Sequence, residues 1–132
     1  MRLRVFVSCA AILGILLAAI PVFAHHSFAA EYDNQKVVKL TGNVTRVDWQ
    51  NPHAYFYIDV KNSDTGRVEN WAFEMGVVAR QGWTKTTLKI GDVIIVEGTR
   101  AKDGGTHGNA RSVFMASTGK KLGAGSSEGV TP

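Results

Sequence analysis

The sequence predicts an all-β domain, and three observations carry that expectation. Apolar and polar residues alternate with a period of two through Leu40–Thr45, Ala54–Lys61 and Arg67–Met75. Turn-forming clusters of Gly, Pro, Asn and Asp punctuate these runs, as at Gln50-Asn51-Pro52 and Asn62-Ser63-Asp64-Thr65-Gly66. The one segment that loses the period of two, Gly76–Lys89, suits only one or two short helical turns.

The chain has 132 residues, and its first 24 read as a removable signal peptide. Arg2 and Arg4 form a short basic start, an apolar run extends from Val5 to Phe23, and Val22-Phe23-Ala24 supplies the small residue required at a cleavage point. The run is almost long enough for a membrane anchor. Pro21 and the Ala24 pattern favour removal, which leaves no stable anchor and places the protein in the periplasm or outside the cell. Cys9 precedes most of the apolar run, unlike a lipidated cysteine, and it leaves with the signal peptide. An exported domain with no cysteine cannot be stapled and must rely on its core. The full chain carries 15 Lys+Arg against 11 Asp+Glu, and two of the basic residues are Arg2 and Arg4, so the processed chain keeps a net charge of only +2. No basic stripe is visible, which argues against a nucleic-acid partner.

Residues 25–36 read as an extended, loosely ordered leader. Residues 37–49 form the first strand, with Leu40, Gly42 and Val44 on one face and Gly42 marking a bulge or sharp coil. The second strand, Ala54–Lys61, turns Phe56, Ile58 and Val60 one way and Tyr55, Tyr57 and Asp59 the other. Gly66 closes a hairpin into the third strand, Arg67–Met75, with Trp71, Phe73 and Met75 on one face. Gly76–Lys89 loses the period of two and suits one or two short helical turns. Asp92–Thr99 is the fourth strand, Lys102–Gly108 a glycine-rich loop, and Asn109–Met115 the fifth strand. The domain thus spans 37–116, and residues 117–132 read as a flexible Gly/Ser-rich tail. Phe56, Ile58, Trp71, Phe73, Ile95 and Val113 are the expected core. So small a sheet must close or pack on something. Five strands with a short helical segment between the third and fourth match an OB-like, partly open barrel, with another small barrel such as an SH3-like one as the alternative.

Several segments resemble a family of uncharacterised exported bacterial proteins. They are Ala24-His25-His26-Ser27-Phe28-Ala29-Ala30-Glu31-Tyr32-Asp33, Leu40-Thr41-Gly42-Asn43-Val44-Thr45, Trp49-Gln50-Asn51-Pro52-His53-Ala54, Gly82-Trp83-Thr84, Gly91-Asp92 and Ala110-Arg111-Ser112. The resemblance covers about residues 24–123 and implies export and fold, not an activity. A looser similarity, in the order strand–Gly–strand, runs to small periplasmic OB-fold proteins and supports the same fold.

No complete catalytic motif is present. The glycines at 104, 105 and 108 are followed by no Lys-Ser/Thr, so they do not form a phosphate loop. Neither Cys-x-x-Cys nor His-x-x-x-His occurs. Glu31, Asp33, Asp48, Asp59 and Glu74 offer carboxylates whose separation nothing in the sequence fixes. The histidines are the informative feature. Cleavage makes His25 the first residue, and its α-amine with its own imidazole forms a chelate suited to a copper ion. His53 and His107 lie in the loops after strands one and four, which flank one face of an OB-like barrel. The metal set is therefore His25, His53 and His107, against the plain alternative of a solvated tail and two turn residues. Tyr55 and Tyr57, with Trp49 nearby, form a stacking surface for a ligand, against the alternative that they cover the sheet. Together these features suggest a non-enzymatic periplasmic binding module for a small ligand, a metal ion or an envelope protein. A metal-dependent enzyme or a structural envelope protein is the alternative.

Overall fold

Strands form here because every second side chain is apolar and can be removed from water on one face while the backbone pairs laterally. In the computed structural model, residues 28–50, 53–76 and 82–125 are described. They fold as one helical turn, α1 (Phe28–Glu31), followed by six strands: β1 (Tyr32–Trp49), β2 (Ala54–Lys61), β3 (Val68–Met75), β4 (Val93–Ala101), β5 (His107–Met115) and β6 (Lys121–Gly123). Among the described residues the fold is all-β apart from that turn.

The strand order is β3-β2-β1-β4-β5-β6, with a further pairing of β3 with β5. Neighbours are antiparallel except that last pair, in which Ala72–Glu74 run parallel to His107–Asn109. The 18-residue β1 serves two partners. Its Val37–Asn43 stretch pairs with β4, and from Asn43 to Trp49 it pairs with β2. The change of partner coincides with a register shift between Val44 and Arg46. The irregularity falls there rather than at Gly42. Gly42 is required for another reason: a Cβ at that position would lie 2.5 Å from the carbonyl oxygen of Asp59, so only glycine lets the two backbones approach.

The core follows the alternation. Phe56, Ile58 and Val60 of β2 and Trp71, Phe73 and Met75 of β3 are buried, joined by Val44, Ile94, Val96 and Val113. The Phe73 ring stacks on Phe56 at 5.5 Å and on Trp71 at 6.0 Å between centroids. Ile95 is not in this set; the inward residues of β4 are Ile94 and Val96. The run Val93–Val96 is apolar throughout, so the sequence holds no period to choose its face. The register with β1, which sets Ile94 opposite Gly42 and Val96 opposite Leu40, makes the choice. The hairpin after β2 closes as expected: Gly66 has φ 69°, and Asn62 Oδ1 accepts hydrogen bonds from the backbone N–H of Asp64 and Thr65.

Three boundaries differ from the sequence reading. First, chain order begins before residue 37. Phe28 and Tyr32, four residues apart and so on one side of a helical turn, pack together at 5.2 Å with Ala101 beneath. Second, the described part of the segment between β3 and β4, residues 82–92, makes turns and no helix. Trp83 and Leu88 are nevertheless buried in the main core. Residues 77–81, on which the rest of the expected helical turns falls, lie outside the described residues. Third, β6 lies in what reads as a tail. Leu122 is buried, Gly123 accepts a 2.6 Å hydrogen bond from Trp83 Nε1, and Ala124 is fully buried, its N–H bonded to Arg111 and its carbonyl to Gly76. A low-complexity composition hid one leucine with a place in the core.

Candidate functional site

Because β2 and β3 turn their even and odd positions to opposite sides, the core on one face dictates what the other face presents. With Phe56, Ile58, Trp71, Phe73 and Met75 inside, the outward residues are Tyr55 and Tyr57 of β2 and Asn70, Ala72 and Glu74 of β3. The register sets Tyr55 opposite Glu74 and Tyr57 opposite Ala72. Parallel pairing adds the first residue of β5, His107, beside Ala72. The N-terminal turn brings Glu31 and Tyr32 to the same place. These residues, with Thr106 and Gly108, line a cleft of about 470 Å³. Its floor is low because Ala72 carries only a methyl group between larger neighbours.

Glu74 is the hub of the cleft. Its Oε2 accepts a 2.5 Å hydrogen bond from the Tyr32 hydroxyl, and its Oε1 lies 2.8 Å from His53 Nδ1. The His53 contact is a close approach rather than an aligned hydrogen bond: the same nitrogen is buried without a partner in hydrogen-bond geometry. Burial first, and the bond to Glu74 second, raise the Tyr32 hydroxyl pKa well above the ordinary phenol value. Burial, followed by the Glu74 and Glu31 charges, raises Tyr55 as well. Both phenols therefore stay protonated at neutral pH and act as neutral hydrogen-bonding groups. Phenolate nucleophiles are disfavoured here. The third ring, Tyr57, is already in contact with a cation: the Arg46 guanidinium stands 3.8 Å from its centroid and is held by Asp48 at 2.7 Å.

The structure brings together part of the expected site. Tyr55 and Tyr57 line the cleft. Trp49 does not; it is partly buried against the main core at the end of β1. His53 meets Glu74 from the residue before β2. His107 lines the cleft from within β5 rather than from the preceding loop. The strand starts two residues earlier than expected, because pairing with β3 recruits His107 and Gly108. Its Nε2 is 3.6 Å from Asp103 Oδ2. His25 lies outside the described residues. Among the described residues no group of three or more His, Cys, Asp or Glu side chains is placed to hold a metal ion. Tyr32, Asn70 and the hub role of Glu74 were not legible directly. The alternation of β3 does put Asn70 and Glu74 opposite its core face, and pairing with β2 puts them beside the tyrosines.

An all-β domain with a tyrosine- and carboxylate-lined cleft on its outer face is thus the class of protein defined here. Residues 13–111 match a family of unknown function (DUF6152), and the chain belongs to that family. No curated protein matches it. Among solved structures, the chain is similar to the crystal structure of the ZRD-deleted mutant of TiaS in complex with agmatine, at 23% identity and a TM-score of 0.48. That likeness covers 76% of this chain and 25% of the other, so the chain spans about a quarter of that protein's length, and it carries no argument about function.

Proposed function

We propose that this protein is an exported, non-catalytic binding module that takes a small ligand in the cleft between Tyr32, Tyr55, Tyr57 and Glu74. The cleft itself carries the reading: flat rings, neutral hydroxyls, a fixed carboxylate at Glu74 and a second at Glu31 converge over a low floor, the usual make-up of a small-ligand site. An OB-like barrel is the fold within which we place it. Support comes from the ring of pairings β3-β2-β1-β4-β5 and back to β3, and from the long β1 shared by two partners. Export is supported by Arg2, Arg4, the apolar run Val5–Phe23 and the Val22-Phe23-Ala24 end. Among the described residues no helix is long and apolar enough to cross a membrane.

The test is an NMR screen of the protein purified from the periplasm, using neutral, anionic and cationic fragments. At least one fragment class shifts the resonances of Tyr55, Tyr57 and His107, and Ala72→Leu, which fills the floor, abolishes the shift. A screen in which no fragment maps to these residues refutes the reading. Mass spectrometry of the same preparation tests export, with His25 as the expected first residue.

A copper site is a second reading. It is supported by the approach of His53 to Glu74 and by the place of His107 in the cleft that Glu74 also lines. It needs the amine and imidazole of His25 as well. Titration with Cu(II), read by d–d absorbance, should then weaken in both His53→Ala and His107→Ala. Equal binding by all variants removes this reading.

A further inference from the structure

We infer that the ligand of this cleft is a small organic cation, an alkylammonium or alkylguanidinium, held by the Tyr55 ring and by Glu31 and Glu74. This inference rests on the reading of the cleft as a small-ligand site and names its chemistry. The sign of the lining charge is the first argument. Two carboxylates and no lysine or arginine line the cleft, in a protein whose processed chain still carries a net positive charge of +2. An anion is drawn to other parts of this surface and repelled here; a cation is drawn in. The second argument is the lining rings. A phenol presents a negative face, which attracts an ammonium or guanidinium group and gives little to a neutral alkyl chain of equal size. The protein makes this contact itself on the same β2 strand, where Arg46 lies over Tyr57.

Glu74 retains capacity for the ligand. Each of its oxygens has one neighbour, Tyr32 or His53, and a carboxylate offers about four acceptor positions. Tyr32 and His53 thus fix the orientation of the carboxylate without exhausting it. Glu31 stands on the rim, exposed at the end of α1, and adds a second negative charge. A cavity of about 470 Å³ fits a ligand of small-molecule size. A sugar also stacks on tyrosines and can donate its hydroxyls to carboxylates, but unlike a cation it does not offset the negative charge of Glu31 and Glu74.

The experiment is an NMR titration of the exported protein with butylammonium, butylguanidinium, butanol, butanoate and methyl glucoside. Either cation should shift Tyr55, Tyr57 and His107 with saturation, and bind at least about tenfold more tightly than butanol or butanoate. Added salt should weaken it. Tyr55→Phe keeps the ring face and should bind as the parent does, whereas Tyr55→Leu should lose about tenfold. Glu31→Gln, on an exposed side chain where the fold is not at stake, should lose several-fold. Butanol or the glucoside binding as tightly as the cations overturns the cation class while leaving the small-ligand reading intact. Equal affinity of Tyr55→Leu and Tyr55→Phe also overturns it. No shift with any probe, together with an empty fragment screen, overturns both.

Discussion

Replacing Phe73 with alanine tests the core on which the cleft is built. Phe73 is fully buried, and its neighbours leave little room to collapse. Phe56 lies opposite it on β2, and Gly108 pairs with it on β5. A Cβ at Gly108 would stand 3.1 Å from the Phe73 ring, so one side of the ring already rests on backbone. Strands that are hydrogen-bonded on both sides cannot close a void the size of a phenyl ring. The loss of transfer energy and the residual cavity together cost about 3–5 kcal/mol. Two aromatic contacts disappear as well, at 5.5 Å and 6.0 Å, which puts the expected value in the upper half of that range. Phe73→Leu retains most of the volume and should cost less than half as much. The assay is urea unfolding followed by tryptophan fluorescence, with the slope unchanged between variants. The melting temperature of Phe73→Ala should fall by at least about 12 °C. A loss under about 1 kcal/mol, or equal losses for alanine and leucine, would refute the proposed packing of β2, β3 and β5.

Two further expectations follow from other contacts. Gly42→Ala forces a Cβ to within 2.5 Å of the Asp59 carbonyl oxygen and should cost about 1–3 kcal/mol in the same unfolding assay, with a change in amide shifts along β1 and β2. An unchanged stability would mean that the strands do not approach so closely. Tyr32→Phe removes a hydrogen bond to a carboxylate and should cost about 1.5–3 kcal/mol at neutral pH. The pH dependence has a definite sign. An unfolded Tyr32 loses its proton near its ordinary value of 10.0, whereas the folded hydroxyl, buried and bonded to Glu74, holds it to higher pH. Its contribution is complete below pH 10 and is lost progressively as pH rises above that value. The gap between parent and Tyr32→Phe should therefore narrow in alkaline unfolding experiments. A gap that widens above pH 10 would contradict the buried, bonded phenol.

Sequence by itself determined the faces of β2 and β3, because Tyr55–Val60 and Trp71–Met75 alternate and a period of two has one reading on a half-buried strand. It determined the Asn62–Gly66 turn, whose glycine needs a positive φ, and it placed Tyr55 and Tyr57 on one surface. That the chain belongs to a family of unknown function was also legible, from segments spread along it. Other features were decided only by tertiary structure. Ile94 rather than Ile95 points inward because β1 sets the register of a run that is apolar at every position. Tyr32 joins the cleft because Phe28 and Ala101 pin the start of β1, and Ala101 is 69 residues away from Tyr32 in sequence. Leu122 becomes a core residue only when β6 finds β5. His107 enters a strand only when β3 and β5 pair in parallel, a contact between segments more than 30 residues apart with no local signal. Local periodicity records which side chains leave water on one element. The cleft is made by three elements at once, Glu74 receiving Tyr32 from β1 and His53 from the approach to β2, and no local pattern encodes where separate elements meet.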